Sequence, residues 1–291
     1  MDKKSVYEII TDRIIDKLKS GVIPWQKPWS GDYTPVNIAS HKPYRGINVL
    51  LLNSMGFSSP YWLTFKQAAE ISGNVRKGEK GTPVIFWKWL QKKDEDQASE
   101  EEITKQIPFL RYYTVFNIDQ CENLPESARP KTETPTIDFN PIEKCEQIVA
   151  DMPNRPKIDH IQQRACYYPG EDRVNMPKPE TFMNEPAYYA TLFHELTHST
   201  SHPSRLARRK TVEEYRPFGS QSYSKEELIA EMGASFLCGE AHIENATIDN
   251  STAYVQSWLE ILHNDKKMVI IAAAQAQKAA EYILGKKNEH V

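Results

Sequence analysis

The chain has 291 residues, 40% of them hydrophobic and 26% charged, with a formal net charge of −3, which is typical of a soluble globular protein. No apolar run reaches the roughly 20 residues that cross a bilayer, and the N-terminal stretch lacks the apolar core of a signal peptide, so we expect a cytoplasmic protein with no membrane partner. The four cysteines have no short spacing, which excludes a disulfide framework and a cysteine zinc site.

The front half begins with a predicted helix over residues 6–19, where apolar residues recur at helical spacing. Residues 25–43 are rich in Pro, Trp, Gly and Asn, which indicates an ordered loop with many turns. Two short helices are predicted next, over residues 44–55 and 64–72.

A pair of strands is predicted over residues 82–90 and 109–117, because both runs are β-branched and aromatic. Residues 91–106 lie between them and consist mostly of Lys, Asp, Glu, Gln and Ser. This composition predicts a solvated hairpin loop without chemistry.

Charge and composition both divide the chain into two units. Residues 1–90 carry 13 Lys and Arg against 7 Asp and Glu, whereas the remaining 201 residues carry 23 against 32. Residues 126–140 are rich in Pro and Thr and weakly hydrophobic, which is typical of a linker. We therefore predict a domain over 1–125, a linker over 126–140 and a second domain over 141–291.

The back half is predicted to be mainly helical. A helix is expected over residues 141–152, and alternation around a Pro-Gly-Glu-Asp turn predicts a hairpin over 164–176. Asn184, followed by Glu-Pro, is a suitable N-cap for the next helix. A further helix begins at Ser224, and a long Ala-rich helical stretch over 254–284 is expected to be interrupted once.

The sequence His-Glu-Leu-Thr-His over residues 194–198 is the strongest chemical signal. His194 and His198 are four residues apart on a predicted helix, so both imidazoles share one face and can hold one Zn²⁺. Glu195 lies beside that face, where it can take a proton from a zinc-bound water that attacks a peptide carbonyl. The pattern predicts a zinc metallopeptidase.

A catalytic zinc of this kind needs a third protein ligand. A metzincin would have Gly at 201 and His at 204, but this chain has Ser201 and Ser204. His202 is a remote alternative, because it follows the predicted end of the helix. We expect the ligand to be Glu227, as in the glutamate zincins, with Glu231 one turn later holding a ligand histidine through its other ring nitrogen.

A second interpretation of Glu227 remains open at this stage. Ser224-x-x-Glu227 also matches a capping box, in which the carboxylate bonds to the backbone at the start of the helix. In that case Glu231 would be the ligand. Glu226 is expected to point away from the metal.

Two further elements are predicted to serve catalysis. Tyr223 precedes the glutamate pair and is a candidate donor to the oxyanion of the tetrahedral intermediate. By analogy with other zincins, the hairpin around residues 167–176 is expected to supply an edge strand for an extended peptide.

Aromatic and basic residues alternate through the front half. Single-stranded nucleic acid is held by this combination, since cations contact phosphates and aromatic faces stack on bases. Some of the tryptophans are equally suited to a core. The predicted DNA-binding residues are Trp25, Lys27, Trp29, Tyr44, Arg45, Trp62, Lys66, Arg76, Lys77 and Lys80.

With these residues considered together, the chain resembles the ArdC-type antirestriction proteins of plasmids and other mobile elements. In the front half the matching stretches are residues 44–48, 62–67, 75–81 and 115–121. In the back half they are residues 194–200, Arg205-Leu206 and residues 226–231. The matches follow the family's order over nearly the whole chain.

The resemblance implies an α+β protein of two domains. The first is a mixed α/β domain that binds single-stranded DNA, and the second is a mainly helical zincin-like metallopeptidase domain with a small sheet. It also implies a role in protecting incoming DNA from restriction. Our first hypothesis is that the DNA brings the peptidase near proteins bound to it, among them an unknown protein substrate. The alternative is a non-enzymatic protector that binds single-stranded DNA and has a structural or vestigial zinc site.

Overall fold

A computed structural model describes residues 4–20, 22–25, 34–57, 59–95, 102–125, 141–208, 221–243 and 251–286. Helix α1 (Val6–Lys19) has the predicted bounds. Its N-cap, Ser5, forms a capping box with Glu8, in which each side chain bonds to the other residue's backbone. The predicted linker over residues 126–140 lies outside the described residues.

The front half contains a four-stranded sheet, a two-stranded sheet and two more short helices. Their bounds are β1 (Val36–Asn37), α2 (Ile47–Asn53), β2 (Tyr61–Thr64), α3 (Phe65–Glu70), β3 (Asn74–Val75), β4 (Thr82–Glu95), β5 (Glu102–Asn117) and β6 (Cys121–Glu122). The larger sheet has the order β1-β2-β5-β4, and β3 pairs with β6. The two predicted short helices are confirmed, with narrower bounds.

The hairpin of β4 and β5 is longer than predicted. Antiparallel pairing continues to Glu95 opposite Glu102, so most of the predicted loop over residues 91–106 is strand. The prediction was wrong because the polar composition of this segment indicated exposure, and a backbone ladder continues regardless of whether its side chains face solvent.

The back half contains five helices and a three-stranded sheet among the described residues. Their bounds are α4 (Pro141–Asp151), β7 (Lys157–Asp159), β8 (Cys166–Tyr168), β9 (Arg173–Asn175), α5 (Glu185–Ser199), α6 (Gln221–Ala241), α7 (Ser251–Asn264) and α8 (Met268–Ile283). The sheet order is β7-β9-β8, which confirms the predicted hairpin and leaves β8 at an edge. The predicted interruption of the last helical stretch falls between α7 and α8.

A hydrophobic core joins the two halves. Helices α1 and α2 contribute buried side chains to the same cluster as α6, α7 and α8. The cluster includes Ile10, Ile14, Leu50, Leu228, Met232, Trp258, Leu262 and Val269. The front helices therefore pack directly on the helices of the back half.

Helices α5 and α6 approach each other closely beside the His-Glu-x-x-His motif. A Cβ atom at Gly233 would lie 2.5 Å from Cγ2 and 2.7 Å from Oγ1 of Thr197. Only glycine fits there without displacing Thr197, which lies next to His198 in the chain. The absence of a side chain at Gly233 thus fixes how near α6 comes to the two histidines.

Arg205 fastens the β8–β9 hairpin to the end of α5. Its side chain is 1% exposed and forms an ion pair with Asp172 in the hairpin turn. It also donates to the Ser199 carbonyl at 2.8 Å and to the Tyr167 hydroxyl at 3.2 Å. The clamp holds the edge strand against the helix that carries the motif.

None of the described helices is both long enough and apolar enough to cross a bilayer.

We predict that Ile14→Ala destabilises both halves together. Ile14 is fully buried in the shared core, and removing such a side chain costs about 2–5 kcal/mol. Urea unfolding followed by circular dichroism and by tryptophan fluorescence should shift as one transition. The control, Ile271→Ala, removes a side chain that is 38% exposed and should have an effect of about 0.5 kcal/mol. Two transitions, of which only one moves, would contradict the shared core.

The stability contributed by the ion pair between Arg205 and Asp172 is predicted to depend on pH. Burial alone would raise the pKa of Asp172, but hydrogen bonds from Arg205 and Tyr167 outweigh burial and hold this pKa below its ordinary 3.8. Such a carboxyl stabilises the fold above its unfolded-state pKa, and the contribution is lost as pH falls through the folded-state pKa. Asp172→Asn should therefore lower the free energy of unfolding by about 1–2 kcal/mol near pH 7, a value that already allows for the partial exposure of Asp172. Below about pH 4 the loss should become progressively smaller.

Urea denaturation of both proteins at several pH values measures this difference. Glu171→Gln is the matched control, because Glu171 lies in the same turn with 62% of its side chain exposed. A difference between wild type and Asp172→Asn that stays constant down to about pH 3 would contradict the prediction.

Candidate metal centre

Helix α5 brings two imidazoles to one face, as the spacing predicted. Asn184 caps the helix by accepting a hydrogen bond from the Ala187 amide at 2.9 Å, and a proline lies in the first turn. The apolar residues around the motif are buried in the core of the back half. The helix is thereby held firmly on both sides of His194 and His198.

Three side chains, those of His194, His198 and Glu227, converge between α5 and α6. The two Nε2 atoms are 3.1 Å apart. Nε2 of His194 lies 3.4 Å from Oε2 of Glu227, and Nε2 of His198 lies 3.4 Å from Oε1. Tetrahedral zinc with bonds of about 2.0–2.1 Å requires its ligand atoms to be roughly 3.3 Å apart. In the part of the chain that the structure describes, these three side chains form the group that could hold a metal ion, and their spacing fits zinc.

The geometry favours Glu227 over Glu231 as the third donor. Helix α6 begins at Gln221, so the backbone of Ser224 lies inside the helix, whereas a capping box needs this residue at the N-cap. Glu231 instead faces the other ring nitrogen of His194, with Oε1 3.7 Å from Nδ1. The role of Glu231 in holding His194 through this nitrogen stays a prediction.

Glu226 does not point away, and this prediction was wrong. Its side chain is buried, with Oε1 3.6 Å from Nδ1 of His198 and 2.6 Å from Nη2 of Arg208. Neighbouring residues on a helix are about 100° apart, so Glu226 and Glu227 both face α5 where the two helices are close. Arg208 was not predicted to take part in the site, but its buried guanidinium is the cationic partner of Glu226.

Glu195 is 8% exposed and is oriented by the edge strand. Its Oε2 accepts a hydrogen bond from the Tyr167 amide at 2.8 Å. One carboxylate oxygen is therefore fixed by β8, which places the predicted general base next to the predicted substrate-binding strand.

Carboxylates dominate the electrostatics of the site. Burial would lower the pKa of both histidines, but Glu227 and the neighbouring carboxylates raise it, most strongly for His198. Burial would raise the pKa of Glu227, but His198 and His194 lower it. The pKa of Glu226 falls to about 2, because Arg208 and His198 outweigh burial. Anionic carboxylates around two imidazoles make a site suited to a divalent cation.

Two other predicted site residues contribute less. The backbone of Tyr223 lies in the first turn of α6, but its side chain lies outside the described part of the chain. His202 contacts the Ser204 hydroxyl at 2.8 Å through Nδ1 and is not in the metal-binding group.

Three aromatic residues predicted to bind DNA are core residues, which corrects the prediction. Trp25, Tyr44 and Trp62 are 1%, 7% and 2% exposed. Trp25 packs edge-on against Trp258 at 5.1 Å, and Trp62 packs against Phe57 at 5.5 Å. Their ring faces are covered by protein, so they have no surface on which bases could stack.

The predicted cations are mostly exposed. Lys66, Arg76, Lys77 and Lys80 lie on the surface of the front half. Arg45 forms an ion pair with Glu281 of α8, so it contacts the back half. Lys27 and Trp29 lie outside the described residues.

A set of exposed aromatic residues on the β4–β5 hairpin was not among the predicted DNA-binding residues. Phe86, Phe109 and Tyr113 are 37%, 41% and 37% exposed. Phe109, Arg111 and Tyr113 alternate along β5 and so share a face. Phe86 lies opposite Arg111, and Arg111 stacks over the Phe109 ring at 5.2 Å. The alternation was the available signal, although exposure could not be read from it.

Comparison with known proteins matches two family models to successive parts of the chain. Residues 4–116 match the family described as the N-terminal domain of anti-restriction factor ArdC. Residues 143–275 match the family described as zincin-like metallopeptidase, which implies a zinc cofactor. The family assignment thus agrees with the donor set found between α5 and α6.

Relatives match almost the entire chain. Two DNA primases TraC from Escherichia coli are each 36% identical over 99% of the chain, which spans 20% and 28% of their lengths. The uncharacterized protein y4eC of Sinorhizobium fredii (strain NBRC 101917 / NGR234) is 31% identical over 98% of the chain and 93% of its own length.

Two solved structures match nearly the whole chain. The metal-free antirestriction protein ArdC from the R388 plasmid is 38% identical, with a TM-score of 0.76 over 98% of this chain and 100% of that chain. Its Mn(II)-bound form has 37% identity and a TM-score of 0.75, over 99% and 100%. The chain therefore belongs to the ArdC-type antirestriction family, with an ArdC N-terminal domain followed by a zincin-like metallopeptidase domain.

Proposed function

We propose that the chain is an antirestriction protein with two activities, zinc-dependent hydrolysis of peptide bonds and binding of single-stranded DNA. The first activity is supported by one observation above all, the convergence of His194, His198 and Glu227 at separations that suit tetrahedral zinc. The DNA would bring the peptidase site near proteins bound to the same strand.

The chain's own residues supply the proton transfers of the proposed reaction. A zinc ion held by the three donors would polarise the scissile carbonyl and lower the pKa of a water molecule. Glu195 takes up a proton at the carboxylate oxygen that Tyr167 does not contact, and later delivers it to the leaving amine. Tyr167 keeps that carboxylate in place through its amide. A role for Tyr223 as a donor to the oxyanion stays a prediction.

We expect one equivalent of zinc per chain and a specific order of losses. His194→Ala should reduce bound zinc to near none, because the site keeps too few donors. Glu227→Gln should weaken zinc binding more than Glu231→Gln, for which we expect a loss of about 10–100-fold. Elemental analysis after dialysis and competition with a chromophoric chelator measure these effects.

His202→Ala is the control for the metal experiment, because His202 lies close in sequence but contacts Ser204. It should retain full zinc binding. If Glu231→Gln lost more zinc affinity than Glu227→Gln, Glu231 would be the ligand and Glu227 the supporting residue.

Glu195→Gln should abolish peptide cleavage and spare zinc and DNA binding. Removal of a general base costs about 10²–10⁴-fold in rate. Cleavage of a peptide library by the zinc-loaded wild type and variant, read by mass spectrometry, gives the comparison. Full antirestriction activity of this variant in cells would instead favour a non-enzymatic protector with a structural zinc site.

The DNA-binding activity is supported by the open face of the β4–β5 hairpin, which we name the aromatic face and define as Phe86, Phe109, Arg111 and Tyr113. Exposed rings beside a guanidinium are suited to bases and phosphates. Tyr113 also lines a polar groove of about 420 Å³ with Lys42, Thr64 and Gln67. These residues replace Trp25, Tyr44 and Trp62 as the proposed stacking surface, and the exposed Lys66, Arg76, Lys77 and Lys80 remain proposed phosphate contacts.

Tyr113→Ala should weaken binding of a labelled single-stranded oligonucleotide by about 10-fold, because one stacking partner is lost. Tyr112→Ala is the matched control: Tyr112 is 42% exposed but lies on the opposite face of the same strand. Fluorescence anisotropy at several salt concentrations measures both, and affinity should fall as salt rises. Equal losses for the two variants, or equal affinity for duplex, would contradict stacking on the aromatic face.

A further inference from the structure

Both histidines of the metal centre have an outward ring nitrogen that meets a carboxylate. The two Nε2 atoms face each other and Glu227, so the Nδ1 atoms lie on the far side of each ring. Nδ1 of His194 is 3.7 Å from Glu231, and Nδ1 of His198 is 3.6 Å from Glu226. Each imidazole therefore has its own acidic neighbour.

The neighbour of His198 is itself held by a cation. Oε1 of Glu226, the atom nearest Nδ1 of His198, also accepts a hydrogen bond from Arg208 at 2.6 Å. The two side chains are only 8% and 7% exposed. Arg208 also donates to the Thr197 carbonyl at 3.1 Å and to the Thr200 hydroxyl. It thus grips the helical turn that carries His198 as well as the carboxylate that faces it.

A buried ion pair is a poor source of stability, because desolvation of both charges offsets their attraction. Its position offers a different role. A histidine that binds metal through Nε2 must carry its proton on Nδ1, and a carboxylate opposite Nδ1 selects that tautomer and fixes the ring. The shared oxygen of Glu226 lies 3.6 Å from the nitrogen that would carry this proton.

We infer that Glu226, held by Arg208, is the positioning residue for His198. It keeps the His198 proton on Nδ1 and leaves the Nε2 lone pair directed at the metal. Arg208 fixes the orientation of the Glu226 carboxylate through the 2.6 Å hydrogen bond to Oε1. The inference rests on the proposed metal centre and is independent of whether peptides are cleaved.

Glu226→Gln tests the inference with little change in side-chain volume. Zinc affinity, measured by chelator competition, should fall by about 10–100-fold, as expected when an outer partner of a ligand is lost. Glu240→Gln is the matched control on the same helix, since the side chain of Glu240 is 38% exposed and pairs with Lys286. Its zinc affinity should equal that of wild type. An unchanged affinity in Glu226→Gln would overturn the inference.

A second measurement separates positioning from a merely structural ion pair. In zinc-loaded protein with ¹⁵N-labelled histidine, the Nδ1–H signal of His198 should move in Glu226→Gln, while that of His194 stays in place. A structural role predicts lower thermal stability of the metal-free protein with both signals unchanged. That pattern would also overturn the inference.

The wild-type protein alone provides a test if Glu226→Gln does not fold. Its zinc-loaded spectrum should show a proton on Nδ1 of His198 that exchanges slowly with water and a ¹⁵N shift at Nε2 typical of metal ligation. A deprotonated Nδ1 would contradict the inference. A wild type that binds no zinc would remove the metal centre itself, which distinguishes failure of the proposed function from failure of this positioning role.

Discussion

The metal centre depends on the close approach of α5 and α6, and that approach depends on the missing side chain at Gly233. A methyl group there would collide with Thr197, which stands immediately before His198, and would push the two helices apart. The two Nε2 atoms are 3.1 Å apart, and each is 3.4 Å from one of the Glu227 oxygens, so a displacement of about 1 Å would disturb the fit to zinc. Packing of a glycine against a threonine thus sets the coordination geometry.

The charges around the metal centre also favour cation binding. Four glutamates surround two imidazoles, and each has a different neighbour: Tyr167 for Glu195, Arg208 for Glu226, the histidine pair for Glu227 and His194 for Glu231. The excess of negative charge favours a dication over a neutral ligand. Glu226, Glu227 and Glu231 lie 3.4–3.7 Å from the imidazole nitrogens, so carboxylates contact both rings without a metal.

The local part of the site was predictable and the non-local part was not. Spacing of four residues placed His194 and His198 on one face, and the same spacing separated Glu227 from Glu231. Nothing local indicated that Glu226 faces His198, because that contact depends on how two distant helices cross. The prediction that Trp25 and Trp62 bind DNA was wrong for a related reason. Tryptophan is common both in cores and on stacking surfaces, and only the tertiary fold shows that these two rings are covered. Strands β4 and β5 were found, but their polar ends were taken for a loop.

The core shared by α1, α2 and α6–α8 has a consequence for how such a protein is inherited. If the front half were separated from the back, apolar faces of helices from both parts would be exposed to water at a large cost in free energy. Recombination that splits the chain near residue 130 would therefore yield two unstable fragments. Transfer of the complete segment avoids this penalty, and 99% of the chain aligns with only 20% or 28% of the TraC primases. By the same free-energy argument, the two domains are more stable joined than apart.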